Sequence, residues 1–132
     1  ALRGAELIVM GYNTPVHNPA NPSSDHLAGF HNHLSLAAGA YQNAAWVVAV
    51  AKAGIEEGVE QIGGTCVVAP TGQIVAQATT LEDELVVARC DLDLTQRLRQ
   101  ATLNFSAHRR IEHYELIARR TGFGTPDGED ED

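Results

Sequence analysis

The chain has 132 residues, 44% of them hydrophobic, and a formal charge of −8. That length and composition fit one modest core and exclude a collagen-like or disordered chain. The acidic balance argues against nucleic acid as a partner, because phosphate binding needs clustered Lys and Arg. The longest apolar run, Ala44 to Ala51, has the length of a strand and falls far short of the roughly 20 residues that span a bilayer, so no membrane is expected.

The chain opens ALRGAELIVMGYN, without an initiator Met or the charged and apolar regions of a signal peptide. Ala1 to Gly4 reads as the end of a helix with a glycine cap, which suggests a chain entered midway. Glu6 to Tyr12 is a short apolar run that suits a buried strand. It is stopped by NTPVHNPANPSS, where Pro15, Pro19 and Pro22 cannot continue a strand. This places a surface loop at the C-terminal edge of a strand, where α/β folds build binding sites. Asn13 offers two donors and an acceptor to a ligand carboxylate or amide. Asn, Thr and Pro are also ordinary turn formers, so a plain turn competes with that reading.

Ser24 or Asp25 is placed to cap a helix over Asp25 to Asn43, where Leu27, Phe30, Leu34, Ala37, Ala38 and Tyr41 recur at spacings of three and four. Trp46 to Ala53 reads as a buried strand and Gly54 to Gly64 as a loop. Thr65 to Ala69 and Gln73 to Ala78 form a hairpin around Pro70–Thr71–Gly72, with Pro fixing one φ and Gly supplying the positive one. Glu84 to Asp91 reads as a further strand. Leu94 to Ala101 and Ala107 to Arg120 read as helices. Residues 1–121 then form one α/β unit with a mixed sheet, and residues 122–132, rich in Asp and Glu, form a solvated, disordered tail. A sheet beginning at Ala1 would carry an unpaired edge and an uncovered face, a second sign of a missing partner half.

No complete catalytic constellation emerges from residue types and spacing. Cys66 lies inside the apolar stretch GGTCVVAP, and Cys90 lies in VVARCD. A nucleophilic thiol needs a depressed pKa. Arg89, on the opposite face of a strand, does not supply one for Cys90. Both cysteines read as free structural thiols in a reducing, cytoplasmic setting. His31 and His33 point in different directions on a helix, His26 and His33 are two turns apart, and His108 and His113 are five apart, so none makes a helical i, i+4 metal pair. Gly63–Gly64 precedes a strand rather than a helix and is no phosphate loop. No metal and no cofactor is expected.

Five segments in order are similar to the latter part of nitrilase-superfamily carbon–nitrogen hydrolases. They are GAELIVMGYNTP, LSLAAGAYQNAAWVVAVAKAG, GGTCVVAPTGQIVAQA, DELVVARCDLD and NFSAHRRIEHYELI. The spellings GYNTP, AYQN and HRRIEHY resemble N-carbamoyl-D-amino acid amidohydrolases. The resemblance implies the C-terminal part of an α-β-β-α sandwich, here a mixed sheet with helices on one face. It implies hydrolysis of an N-carbamoyl-D-amino acid to the D-amino acid, carbon dioxide and ammonia. Such enzymes use a Cys nucleophile, a Glu base and a Lys that stabilises the oxyanion.

None of those three residues matches a position in this chain. Cys66 matches the superfamily's strand–Pro-x-Gly–strand hairpin, not the Cys-Asn-Asp-Arg-Arg stretch of similar enzymes. Thr65 stands where relatives often have Ser. The chain alone is therefore expected to be inactive. By the same resemblance Asn13 holds the substrate carboxylate, with Thr14 as a weaker candidate. Phe105, His108, Arg109, His113 and Tyr114 fall in a segment that packs across a subunit interface, so a homo-oligomer is expected of the intact enzyme. A related amidase, a ureidopropionase-like hydrolase or a nitrilase is the alternative within the superfamily. A non-catalytic half-domain that works through a protein partner is the alternative outside it.

Overall fold

The computed structural model describes residues 1–122; the expected acidic tail lies, but for its first residue, outside them. Strands β1 (Leu7–Tyr12), β2 (Trp46–Ala51), β5 (Cys66–Val68) and β6 (Ile74–Gln77) form one sheet in the order β1-β2-β5-β6. Helix α1 (Ala28–Asn43) crosses over from β1 to β2, which pair in parallel from Leu7↔Trp46 to Tyr12↔Ala51. The other two pairings are antiparallel, so the sheet is mixed, as the element order predicts. The Pro70 turn forms as expected: the Gly72 N–H donates to the Ala69 carbonyl at 2.8 Å, with Gly72 at φ +83°.

Small residues let α1 approach the sheet closely. Leu36 and Ala40 pack on Val47, Ala49, Cys66 and Val68, and Ala40, Ala49, Cys66 and Val68 are fully buried. The other face carries Trp46, Val67 and Ala69, covered by Val86, Ala88, Cys90 and Leu94. The indole N–H of Trp46 donates to the Asp91 carbonyl at 2.9 Å, satisfying the one polar atom of a largely buried ring. Strand β1 is an edge of the sheet; Val9 on it and Phe30 on α1 remain exposed among the described residues. Gly4 closes a turn onto the Ala1 carbonyl at φ +87°.

Four expected elements differ. Residues Pro22–Leu27 form a 3₁₀ turn, α1 begins only at Ala28, and neither Ser24 nor Asp25 caps it. Asp25 is instead engaged by His17 Nδ1 at 2.7 Å and the Asn18 N–H at 2.9 Å, which ties the preceding loop down. The segment expected to be a loop folds as a hairpin of β3 (Ala53–Glu56) and β4 (Val59–Ile62). Its two turn residues, Glu57 and Gly58, both have positive φ, the signature of a type I′ turn.

Glu84 to Asp91 keeps the alternating burial of a strand but has no ladder partner among the described residues; it lies across the Trp46 face. The long final helix is broken into α3 (Phe105–His108), a 3₁₀ turn (Ile111–His113) and α4 (Glu115–Arg119). Extended backbone at Arg109, with ψ 135°, interrupts it, and α2 (Asp93–Gln100) precedes it nearly as expected.

Candidate functional site

Strand β2 leaves the main sheet at Lys52 and runs straight into β3. The Lys52 N–H donates to the Tyr12 carbonyl at 2.9 Å, and its carbonyl accepts from the Gly63 N–H at 3.1 Å. The chain beyond β1 is stitched to the same hairpin. The Ile62 N–H donates to the Thr14 carbonyl at 3.0 Å, the Val16 N–H donates to Glu60 at 2.8 Å, and Pro15 bridges Gln61. A corner results in which the end of β1, the end of β2 and the β3–β4 hairpin meet. It holds an open cleft of about 470 Å³ lined by Gly11, Tyr12 and Asn13, by Val50 to Lys52, and by Glu56.

Asn13 therefore sits where the sequence places it, exposed at the C-terminal end of β1 and facing a cleft. Thr14 does not line that cleft, and its carbonyl is already taken by Ile62. Sequence reasoning missed Lys52 and Glu56, whose side chains pair at 2.8 Å on the cleft wall, each about half exposed. A readable signal existed: Lys52 is the one charge in the apolar run WVVAVAKA, one residue beyond the last β2 position paired with β1.

A second cleft of about 300 Å³ lies between β1 and α1, lined by Met10, Tyr12, His31, Asn32, Ser35 and Leu36. The Tyr12 hydroxyl and the Asn32 amide nitrogen are buried close together, without a well-aligned hydrogen bond among the described residues. Burial pushes the Tyr12 hydroxyl above its ordinary pKa, against a smaller opposing influence from the Asn32 side chain.

Neither cysteine lines either of these two clefts. Burial pushes both the Cys66 and the Cys90 thiol upward, away from the thiolate a nucleophile needs. The Thr65 hydroxyl accepts from the Ala51 N–H at 2.9 Å and reaches its carbonyl at 3.3 Å, completing the end of β2; a Ser hydroxyl serves the same purpose. Among the described residues no three His, Cys, Asp or Glu side chains converge, so none is assigned to a metal. No described helix is long and apolar enough to cross a membrane.

The five C-terminal residues singled out from the sequence lie away from both clefts. The Arg109 guanidinium sits 5.0 Å from the centroid of the Tyr114 ring, a cation–π distance, and Phe105, Arg109 and Tyr114 are half-buried while His108 and His113 are exposed.

The model of the carbon-nitrogen hydrolase family matches residues 1–100. The chain belongs to the carbon-nitrogen hydrolase family. Its fold is that of the nitrilase superfamily, as solved structures show. A carbon-nitrogen hydrolase from Helicobacter pylori G27 superimposes with a TM-score of 0.72 at 21% identity, over 90% of this chain and 43% of its own. The C. elegans NitFhit protein does so with a TM-score of 0.67 at 31% identity, over 87% and 26%. An amidase from Nesterenkonia sp. AN1 gives 0.52 at 25% identity, over 83% and 35%. This carbon-nitrogen hydrolase chain thus spans less than half the length of each of these proteins. Its corner cleft lies at the C-terminal end of a parallel strand pair, the usual place for a site in an open α/β sheet.

Proposed function

We propose that this chain forms one wall of the active site of a hydrolase that converts N-carbamoyl-D-amino acids and water to the D-amino acid, carbon dioxide and ammonia. The observation that carries the reading is Asn13, exposed at the end of β1 on the wall of the corner cleft and spelled within GYNTP. Its amide N–H groups are suited to a carboxylate oxygen. Residues outside this chain supply the thiolate that attacks the carbamoyl carbon, the Glu that moves the proton and the Lys that faces the oxyanion. The raised Cys66 thiol, buried away from the cleft, agrees with that division. The acting enzyme is a homo-oligomer of the cytoplasm, joined through the segment carrying Phe105, His108, Arg109, His113 and Tyr114, and it needs no cofactor.

The test is ammonia release by the full-length protein from N-carbamoyl-D-amino acids, their L-enantiomers and simple aliphatic amides. Preference for the D-carbamoyl compounds is expected, and Asn13→Ala should raise KM about tenfold, the loss of a hydrogen bond to a charged group. Residues 1–132 alone should release none. Turnover of aliphatic amides in place of carbamoyl acids would move the reading to an amidase, the activity named for the 25%-identical Nesterenkonia protein.

A further inference from the structure

We infer that Lys52 is a second carboxylate-recognition residue of the corner cleft and that Glu56 tunes it, an assignment that rests on the carbamoyl-acid reading above. Asn13 and Lys52 come next after Tyr12↔Ala51, the last pair of the parallel β1–β2 register, and the Lys52 N–H continues the ladder to Tyr12 at 2.9 Å. Both residues line the same cleft of about 470 Å³. The backbone of Lys52 is fixed at both its N–H and its carbonyl, so the stem of the side chain starts from a set position.

The ammonium carries three donors. It donates to Glu56 at 2.8 Å, which leaves donors for a ligand without breaking the pair. An amide and an ammonium lining one cleft offer the donors that a carboxylate takes up. Glu56 contributes the opposite sign. It holds the ammonium at the wall, and it also places a negative charge beside any incoming carboxylate. Because both side chains are about half exposed, solvent screens the pair and its effect on binding is moderate.

This arrangement makes the two partners of one ion pair act in opposite directions. Lys52→Gln should raise KM for N-carbamoyl-D-amino acids about five- to twentyfold, with kcat nearly unchanged. Glu56→Gln should lower KM. An uncharged analogue with no carboxylate, an N-carbamoyl alkylamine, should respond to neither substitution. A purely structural ion pair gives a different pattern, because either substitution breaks the same contact and both would change KM in the same direction for both compounds.

The experiment is steady-state kinetics of the full-length protein and its Lys52→Gln, Glu56→Gln and Asn13→Ala variants on the two compounds, with thermal melts to confirm folding. Opposite signs confined to the carboxylate substrate support the assignment. Parallel changes, or a Lys52→Gln variant indistinguishable from the parent on a carboxylate substrate that the parent turns over, overturn it. A parent protein with no turnover of any N-carbamoyl-D-amino acid sinks the functional reading itself and this assignment with it. That outcome is separate from the loss of the Lys52 assignment alone.

Discussion

The two ends of β2 are a few residues apart on one strand and differ in almost everything. At its start, Trp46 and Val47 are each 4% exposed, packed on opposite faces of the sheet. At its end, Val50 is 51% exposed and Lys52 opens onto solvent and the cleft. The start is fixed by packing, where atoms removed leave a hole. The end is fixed by a corner of backbone hydrogen bonds, where side chains are free to meet a ligand. Stability should therefore concentrate at one end and recognition at the other. Trp46→Ala tests this most strongly. Losing the buried ring and its bond to Asp91 should cost about 3–5 kcal/mol in denaturant unfolding. Lys52→Gln should change the same measurement by less than about 1 kcal/mol. Equal losses at both ends would break the comparison.

Cys66 extends the buried end to chemistry. It is fully buried on β5, beside Ala49 of β2 and in the core formed with α1, and burial raises its thiol. Cys66→Ala should cost about 1–2 kcal/mol, a small cavity in a tight core. It should leave turnover of the full-length enzyme within about twofold, and the folded protein should resist alkylation at this position. Loss of turnover out of proportion to the stability change would place a reactive thiol in the interior and erase the contrast.

The corner end has its own mechanical test. The β3–β4 turn holds Gly58 at φ +81°, and a Cβ there meets nothing within 4 Å. Gly58→Ala should thus cost about 1 kcal/mol, from backbone conformation alone. Gly63 has φ +64° as well, but its added Cβ would lie 3.0 Å from Leu81 Cδ2 and 3.3 Å from Ala53 Cβ. Gly63→Ala should cost more than Gly58→Ala, and it should disturb the cleft because Gly63 bonds to the Lys52 carbonyl. The pair of melts, with KM on the same samples, reads both effects.

What was legible in the sequence follows the same division. The β1–α1–β2 unit, the Pro70 hairpin and the burial of Cys66 were readable because apolar periodicity reports packing directly, whereas Cys90, expected to be buried as well, is only half-buried. The position of Asn13 at the end of β1 was readable because a polar turn residue directly after an apolar run has few other places to go. The β3–β4 hairpin was not, since Glu57–Gly58 lacks the Asn or Asp that usually marks a type I′ turn and its flanks do not alternate cleanly. Without that hairpin, Glu56 had no wall to stand on and Lys52 read as a strand end. Glu84 to Asp91 shows the converse: its alternation is real, but a strand also needs a partner, and none is encoded within the segment. The break at Arg109 was hidden by the helix-like run HRRIEHYELIARR.

The smallest expected effect lies at the turn that leads this segment onto the Trp46 face. The Glu84 carboxylate accepts from the Thr79 N–H at 2.9 Å, the Thr80 N–H at 3.0 Å and the Thr80 hydroxyl at 3.0 Å. The Thr79 and Thr80 backbone hydrogen bonds, with the Thr80 hydroxyl, hold its carboxyl below the ordinary range. A carboxyl lowered in the folded state stabilises the fold above its unfolded value, about 4.3, and loses that contribution as pH falls through the folded value. Glu84→Gln removes the titration while keeping the shape. The parent protein should lose stability more steeply than Glu84→Gln on acidification below about pH 4.5, with the two curves converging in acid. Some slope should persist in the variant, because Glu6 and Asp25 are lowered in the same way, Glu6 chiefly by Gln96 and Thr95, Asp25 by Asn18 and His17. Identical acid limbs for parent and variant would mean that the packing on Trp46, rather than the Glu84 turn, fixes the path of the chain. The buried end of β2 would then account for the whole of that face.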